Sequence, residues 1–337
     1  MPRSKLDIGD LLAQAQLPGA AYALVKGGKI RSVGHCGTAD QASGGAVNAG
    51  TIFQAASLSK PLFAYLALQL VDAGVLPLDR PLVDRIGDLL PKDDARARLI
   101  TARHVLSHTT GLPNWRSPDR PLRCYFEPGS RFSYSGEGYV LLQVWLERET
   151  GKGLDALAKV LVFEPLNLRH SAFDRRSLQG EFAAPHDDNG RPFATPLPPA
   201  PNSAASLHTT AGDYATFLCA ALTASRLAES TARAWMQPNA AATARMWDSL
   251  DPQKSGPINA AIAWGLGWGL DRTSASCFHW GDTPGFKGLV LGSLISQGGL
   301  VVLTNGDAGS SVAAKLATTF FDEPTRILSW LEWATPG

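Results

Sequence analysis

The 337-residue sequence lacks most of what marks a metalloprotein, a disulfide scaffold, a membrane protein or a nucleic-acid binder. Its four cysteines, Cys36, Cys124, Cys219 and Cys277, are widely scattered and form no Cys-x-x-Cys pair. His104 and His108 are four apart, but no His-Glu-x-x-His pattern and no nearby Cys completes a ligand set. A zinc site and a dense disulfide framework are therefore disfavoured, and reduced, partly buried thiols are expected. Neither sign of charge prevails, with Lys+Arg 31 against Asp+Glu 30. Such a balance gives no electrostatic footprint for nucleic acid or an anionic membrane, so neither is expected as a partner. No apolar run reaches membrane-spanning length, and the first ten residues carry basic groups without an apolar segment behind them. If Met1 is the natural start, the protein is expected in the cytoplasm. The chain also lacks a Gly-x-Ser-x-Gly elbow, which argues against an ordinary α/β-hydrolase, and shows no internal repeat.

What is present is an ordinary globular balance, 45% hydrophobic and 18% charged, long enough for two lobes around a full core. Residues 6–15 read as a short amphipathic helix. Ala20 to Val25 and Ile30 to Val33 read as strands flanking a turn at Lys26-Gly27-Gly28-Lys29. From about residue 76 helical patches alternate with Pro- and Arg-rich loops. The helical patterns run over 141–150 and 214–224, and the Pro-dense stretch 185–201 reads as an irregular surface segment. After Ile258 strand signals return, in the apolar-glycine alternation Trp264 to Leu270 and in 288–293 and 300–304. A helical pattern then follows over 310–333, broken near Pro324. The expected organisation is an α/β lobe from residues 1–75 and 257–337 with a mainly helical lobe, 76–256, inserted between them. Clefts between such lobes commonly hold catalytic sites.

The stretch 51–60, TIFQAASLSK, feeds an apolar helix pattern that starts near Ser57, with Pro61 tolerated only in a first turn. Ser57 and Lys60, three apart, share one face of that turn. A hydroxyl there beside a desolvated amine is a plausible activated nucleophile. Equally, Ser57 reads as an N-cap and Lys60 as a solvated side chain. Tyr134, on a turn ahead of a helix, can point its phenol into a cleft as a proton-transfer group, or simply pack its ring. In the segment His279-Trp280-Gly281-Asp282, Gly281 would let a substrate approach the backbone. The Asp282 N–H would then serve as an oxyanion donor opposite the N–H of Ser57. His279 reads as well as an edge histidine. His108, in the turn His108 to Pro113, reads as structural.

In order and context these segments resemble the penicillin-recognising serine hydrolases. Those comprise class C β-lactamases, low-molecular-weight penicillin-binding proteins, D-amino-acid peptidases and β-lactamase-like esterases. Ser57 to Lys60 resembles the family's Ser-x-x-Lys motif, Tyr134 to Gly136 its Tyr-x-Asn motif, and His279 to Gly281 its Lys/His-x-Gly motif. The resemblance runs from about residue 17 to 307, and one position departs from it: Gly136 stands where the family has Asn. That Asn usually touches an amide on the substrate, so its loss, with His279 in the third motif, tilts the reading to ester hydrolysis.

The resemblance implies an α+β fold, an antiparallel sheet flanked by helices with a helical lobe against it, and no cofactor or metal. It implies Ser57, Lys60 and Tyr134 as catalytic residues, with either Lys60 or Tyr134 as the acylation base. Ser57 and Asp282 would bind the oxyanion, with His279, Trp280, Gly281 and Gly136 around the substrate, a small ester or a β-lactam. Trp115, Trp280 and Phe286 are candidate pocket walls, and Lys287 either meets a substrate carboxylate or stays solvated. The alternatives are a β-lactamase or D-amino-acid peptidase using the same residues, or a non-catalytic binding protein on the same scaffold.

Overall fold

The computed structural model describes residues 7–195, 198–243, 250 and 258–333. The Lys26-Gly27-Gly28-Lys29 turn forms as the sequence predicts, because both glycines take positive φ (57° and 69°) and so match the strand twist. It joins β1 (Gly19–Lys26) to β2 (Lys29–Asp40), which continues beyond its predicted end and pairs with β3 (Gly45–Ala46). After β4 (Phe53–Ala56) the sheet strands resume near residue 240. They are β6 (Ala240–Thr243), β7 (Ile258–Trp264), β8 (Gly269–Asp271), β9 (Ser276–Thr283), β10 (Phe286–Ser293) and β11 (Gly299–Thr304). The order β3-β2-β1-β11-β10-β9-β8-β7-β6 makes one antiparallel nine-stranded sheet from both ends of the chain.

The antiparallel sheet flanked by helices is the fold class the sequence predicts. β6 lies within 76–256, the stretch expected to be the helical lobe, and its short Ala-rich run carries too little alternation to announce a strand. In β11, Leu300 and Val302 pack on one core while Val301 and Leu303 pack on the other. That is why its sequence is a continuous apolar run rather than an alternation. The Gly309–Phe320 helix packs on β10 and β11, and Val312, Ala313 and Leu316 join the first of these cores. The Ala211–Leu222 helix covers the opposite face through Phe217 and Leu218.

The nine-stranded sheet does not include β4. It pairs instead with β5 (Leu207–Thr209) in a separate two-stranded strip and leads into the Ser59–Asp72 helix. That helix is buried from Ser59 to Leu70, which explains an apolar surface on all sides. Among the described residues no helix is long and apolar enough to cross a membrane. All four cysteines are unpaired, and burial pushes the Cys124 and Cys277 thiols up to about 12.

The apolar-glycine alternation from Trp264 to Leu270 is not one strand. Trp264 ends β7, Gly269 begins β8, and Gly265 to Trp268 form a turn wedged among helices. There the Leu266 N–H donates to Trp235 O and the Gly267 N–H to Leu106 O. Gly267 sits at φ 97°, and a Cβ there would lie 2.4 Å from the Ala64 Cβ. Both constraints admit only glycine. Gly267→Ala should cost about 3 kcal/mol in urea unfolding with an unchanged m-value; an unmoved midpoint would refute this account of the turn.

Candidate active site

Ala56 holds a left-handed φ of 47°, rare for a residue with a side chain, and this bend lifts Ser57 out of β4. The helix begins two residues later than the sequence pattern suggests, at Ser59, which leaves Ser57 in a tight strand-to-helix turn. In that turn the Leu58 N–H donates to Ala55 O (3.0 Å) and the Lys60 N–H to Ser57 O (3.0 Å). Ser59 Oγ donates to Ala56 O (2.6 Å) and accepts the Leu207 N–H (2.9 Å), which latches the turn to β5. Ser57 is half-buried, while Ala55, Ala56, Leu58, Ser59 and Lys60 around it are buried.

A pair of bare positions seats this turn against the main sheet. Gly281 on β9 and Gly288 on β10 are register partners. A Cβ at Gly281 would lie 2.3 Å from Ala55 O, and one at Gly288 would lie 2.9 Å from Leu58 Cδ1. The close approach expected at Gly281 is therefore made by the chain's own β4, not by a ligand. It brings the Ser57 turn against the strand that continues to Asp282.

Lys60 is fully buried, with Nζ 3.0 Å from Ser57 Oγ and 2.8 Å from Ala204 O. Among the described residues it has no carboxylate partner, and burial holds its pKa well below the ordinary lysine value. Its Nζ donates to both the Ser57 hydroxyl and the Ala204 carbonyl; once deprotonated it could keep the bond to Ala204 and turn a lone pair to the Ser57 hydroxyl. The same nitrogen lies 4.7 Å from the centroid of the Tyr134 ring. Tyr134 precedes the Gly136–Thr150 helix, whose N-cap Ser135 accepts the Gly138 N–H at 3.1 Å. The buried Tyr134 hydroxyl has no hydrogen bond of regular geometry among the described residues. Burial raises its pKa, and the Ser57 hydroxyl is the group that opposes the rise. The structure thus gathers Ser57, Lys60 and Tyr134 at one place, with the serine open to solvent.

Two imidazoles back this group. His108, read from sequence as structural, stacks on the Tyr134 ring at 4.2 Å between centroids. Its Nδ1 accepts the Ser135 N–H (3.0 Å), so its proton is on Nε2. His279 is buried on β9, with its ring 6.2 Å from that of Tyr134. Burial and the nearby Lys60 push His279 down to about 3, and the same two causes, with His279, keep His108 neutral. Trp280 is 2% exposed, packed 5.1 Å from Tyr134 and against Trp330, so it forms the back of the site rather than an open wall.

Phe286 is likewise buried, leaving Trp115, 44% exposed, as the open one of the three candidate walls. The Trp115 ring occupies the space a side chain at Gly136 would need, since a Cβ there would meet it at 2.8 Å. Its loop is clamped on both sides. Asn114 O accepts the Gly136 and Glu137 N–H groups at 3.0 Å, and Arg116 makes a bidentate pair with the buried Glu137. Lys287 is neither solvated nor free for a substrate. It bridges Asp282 (3.0 Å) and Asp307 (2.7 Å), and it donates to Thr283 O at 3.2 Å. Among the described residues no cluster of three His, Cys, Asp or Glu groups suits a metal.

The group that sequence reasoning missed is the Ala204 carbonyl. Asn202 Oδ1 accepts the Ala204 N–H (2.8 Å), and Ser203 is fixed between Gln143 Oε1 and Tyr139 O. A backbone acceptor leaves no mark in the residue type.

The chain is similar to known proteins in sequence and in fold. The chain is 27% identical to penicillin-binding protein 4 of Amycolatopsis lactamdurans over 94% of its own length and 86% of the relative's. It is 31% identical to esterase EstB of Burkholderia gladioli over 54% of this chain and 53% of that protein. Its fold superimposes on the octameric penicillin-binding protein homologue of Pyrococcus abyssi with a TM-score of 0.78 at 20% identity, covering 95% and 79% of the two chains. It also superimposes on the hydrolase EstCE1 with a TM-score of 0.73 at 18% identity, covering 89% and 92%. The Beta-lactamase family model matches residues 7–320, and the chain therefore belongs to this family of serine hydrolases, which includes both esterases and β-lactamases.

Proposed function

We propose that the protein hydrolyses small carboxylic esters through an acyl-enzyme on Ser57. The observation that carries this reading is the buried Lys60 amine, 3.0 Å from Ser57 Oγ and without a counter-ion among the described residues. Ser57 Oγ attacks the ester carbonyl carbon while its proton passes to Lys60 or Tyr134. The N–H groups of Ser57 and Asp282 receive the oxyanion, a donor pair whose members are typically worth about 3 kcal/mol each. Tyr134 then delivers the proton to the departing alcohol, and water, deprotonated by the same pair, releases the acid. His279 and Trp280 hold the Tyr134 ring from behind.

Gly136 and Trp115 support an ester over a lactam or peptide. Position 136 offers no side-chain amide to a substrate, and the indole fills that space with an apolar surface.

Ser57→Ala should abolish turnover of p-nitrophenyl butyrate at an unchanged melting temperature; retained turnover would refute the assignment. Because burial lowers the Lys60 pKa, the neutral amine forms at lower pH than for an ordinary lysine. The value of kcat/KM should then rise with pH through one ionisation and level off well before pH 10. Lys60→Arg, which cannot shed its proton, should lose about 10²–10⁴-fold in kcat. Gly136→Asn alone should not create nitrocefin hydrolysis, since the new side chain meets the indole. Combined with Trp115→Ala it should raise the nitrocefin-to-ester ratio, and an unchanged ratio would show that these two positions do not set specificity.

A further inference from the structure

A second cavity, of about 320 Å³, borders the strand pair that carries Ser57. Gln54, three residues before Ser57, and His208 are register partners across β4 and β5, and both line it. Phe182 and an edge of the largely buried Phe286 border it, and Arg175 and Asp40 are among its lining residues.

Its polar groups are conspicuously unused. The Arg175 guanidinium lies 3.9 Å from the centroid of the Phe182 ring and makes no ion pair among the described residues. A guanidinium held over an aromatic face has its position fixed, which suits recognition of a carboxylate by its donor fork. His208 is 5% exposed, and its Nδ1 lies 2.9 Å from Ser206 O, an acceptor, so the ring proton is there. That leaves Nε2 as a lone pair with no donor to it among the described residues. Burial, with Arg175 nearby, pushes His208 down to about 4, so it adds no charge at neutral pH. The Gln54 amide also makes no hydrogen bond among the described residues, while Asp40 Oδ1 accepts the Ala42 N–H (2.9 Å).

One unpaired cation, neutral hydrogen-bonding groups and aromatic walls match a monoanion with a flat apolar body. Asp40 also lines the cavity, and its carboxylate repels a dianion such as phosphate more strongly than a monoanion. We propose that this cavity is a binding site for a small arylalkyl carboxylate, its acid on the Arg175 fork and its ring against Phe182 and Phe286. The site is separate from the Ser57 crevice and does not depend on the ester reading.

Ligand-observed NMR titration of the full chain with phenylacetate, and with phenylacetamide as the uncharged match, tests it. Phenylacetate should bind, and phenylacetamide should bind far more weakly. Arg175→Gln should weaken phenylacetate roughly tenfold or more. Arg175→Lys, which keeps the charge but not the fork, should fall between, which guards against a variant that merely unfolds. Trp115→Ala should leave the affinity unchanged. The proposal is overturned if phenylacetate does not bind at millimolar concentration, if Arg175→Gln binds it as well as the wild type, or if Trp115→Ala removes binding. The last outcome would assign the acid to the Ser57 crevice.

Discussion

The site depends on taking one amine out of water without giving it a carboxylate. An ammonium buried in this way is costly enough that the group sheds its proton instead. Among the described residues Lys60 makes its hydrogen bonds to the Ala204 carbonyl and the Ser57 hydroxyl. Around it the protein has placed groups that carry no charge at neutral pH. Burial lowers the pKa values of His108 and His279, and the Tyr134 and Tyr139 rings cover the nitrogen at 4.7 Å and 5.7 Å. A second cation or an unscreened anion here would restore the ammonium or repel it, so the aromatic density of the site is part of its electrostatics.

The scaffold isolates Ser57 from the large sheet while pressing its turn against that sheet. β4 belongs to a two-stranded strip with β5, and its turn rests on the two facing glycines of β9 and β10. The turn is thus fixed from three directions: the Ser59 latch to β5, the glycine seat below, and the buried helix behind. Bending at Ala56 costs conformational energy, and those contacts hold it in place.

Features encoded locally were legible in the sequence. The Gly27-Gly28 turn, the helix after Ser57 with Pro61 in its first turn, and the break near Pro324 follow from backbone preferences of a few adjacent residues. Convergence of Ser57, Lys60 and Tyr134 was legible only through the order of three weak motifs, because nothing local relates residue 134 to residue 57. Other features were not legible. The Trp264 to Leu270 alternation looks like a strand because packing glycines mimic a period of two, and only the neighbouring helices show that they serve a turn. Lys287 looks like any surface lysine until the fold brings Asp282 and Asp307 to it. His108 stacks on a ring 26 positions away, at a distance no pattern encodes.

The acceptor for Lys60 is main chain, and that has an evolutionary consequence. No point substitution deletes a carbonyl; it can only shift one. Residues 202–206 are therefore free to exchange side chains where these do not brace the loop, but not to gain or lose a residue. Divergent descendants of this chain would preserve the path of that segment long after its spelling had changed.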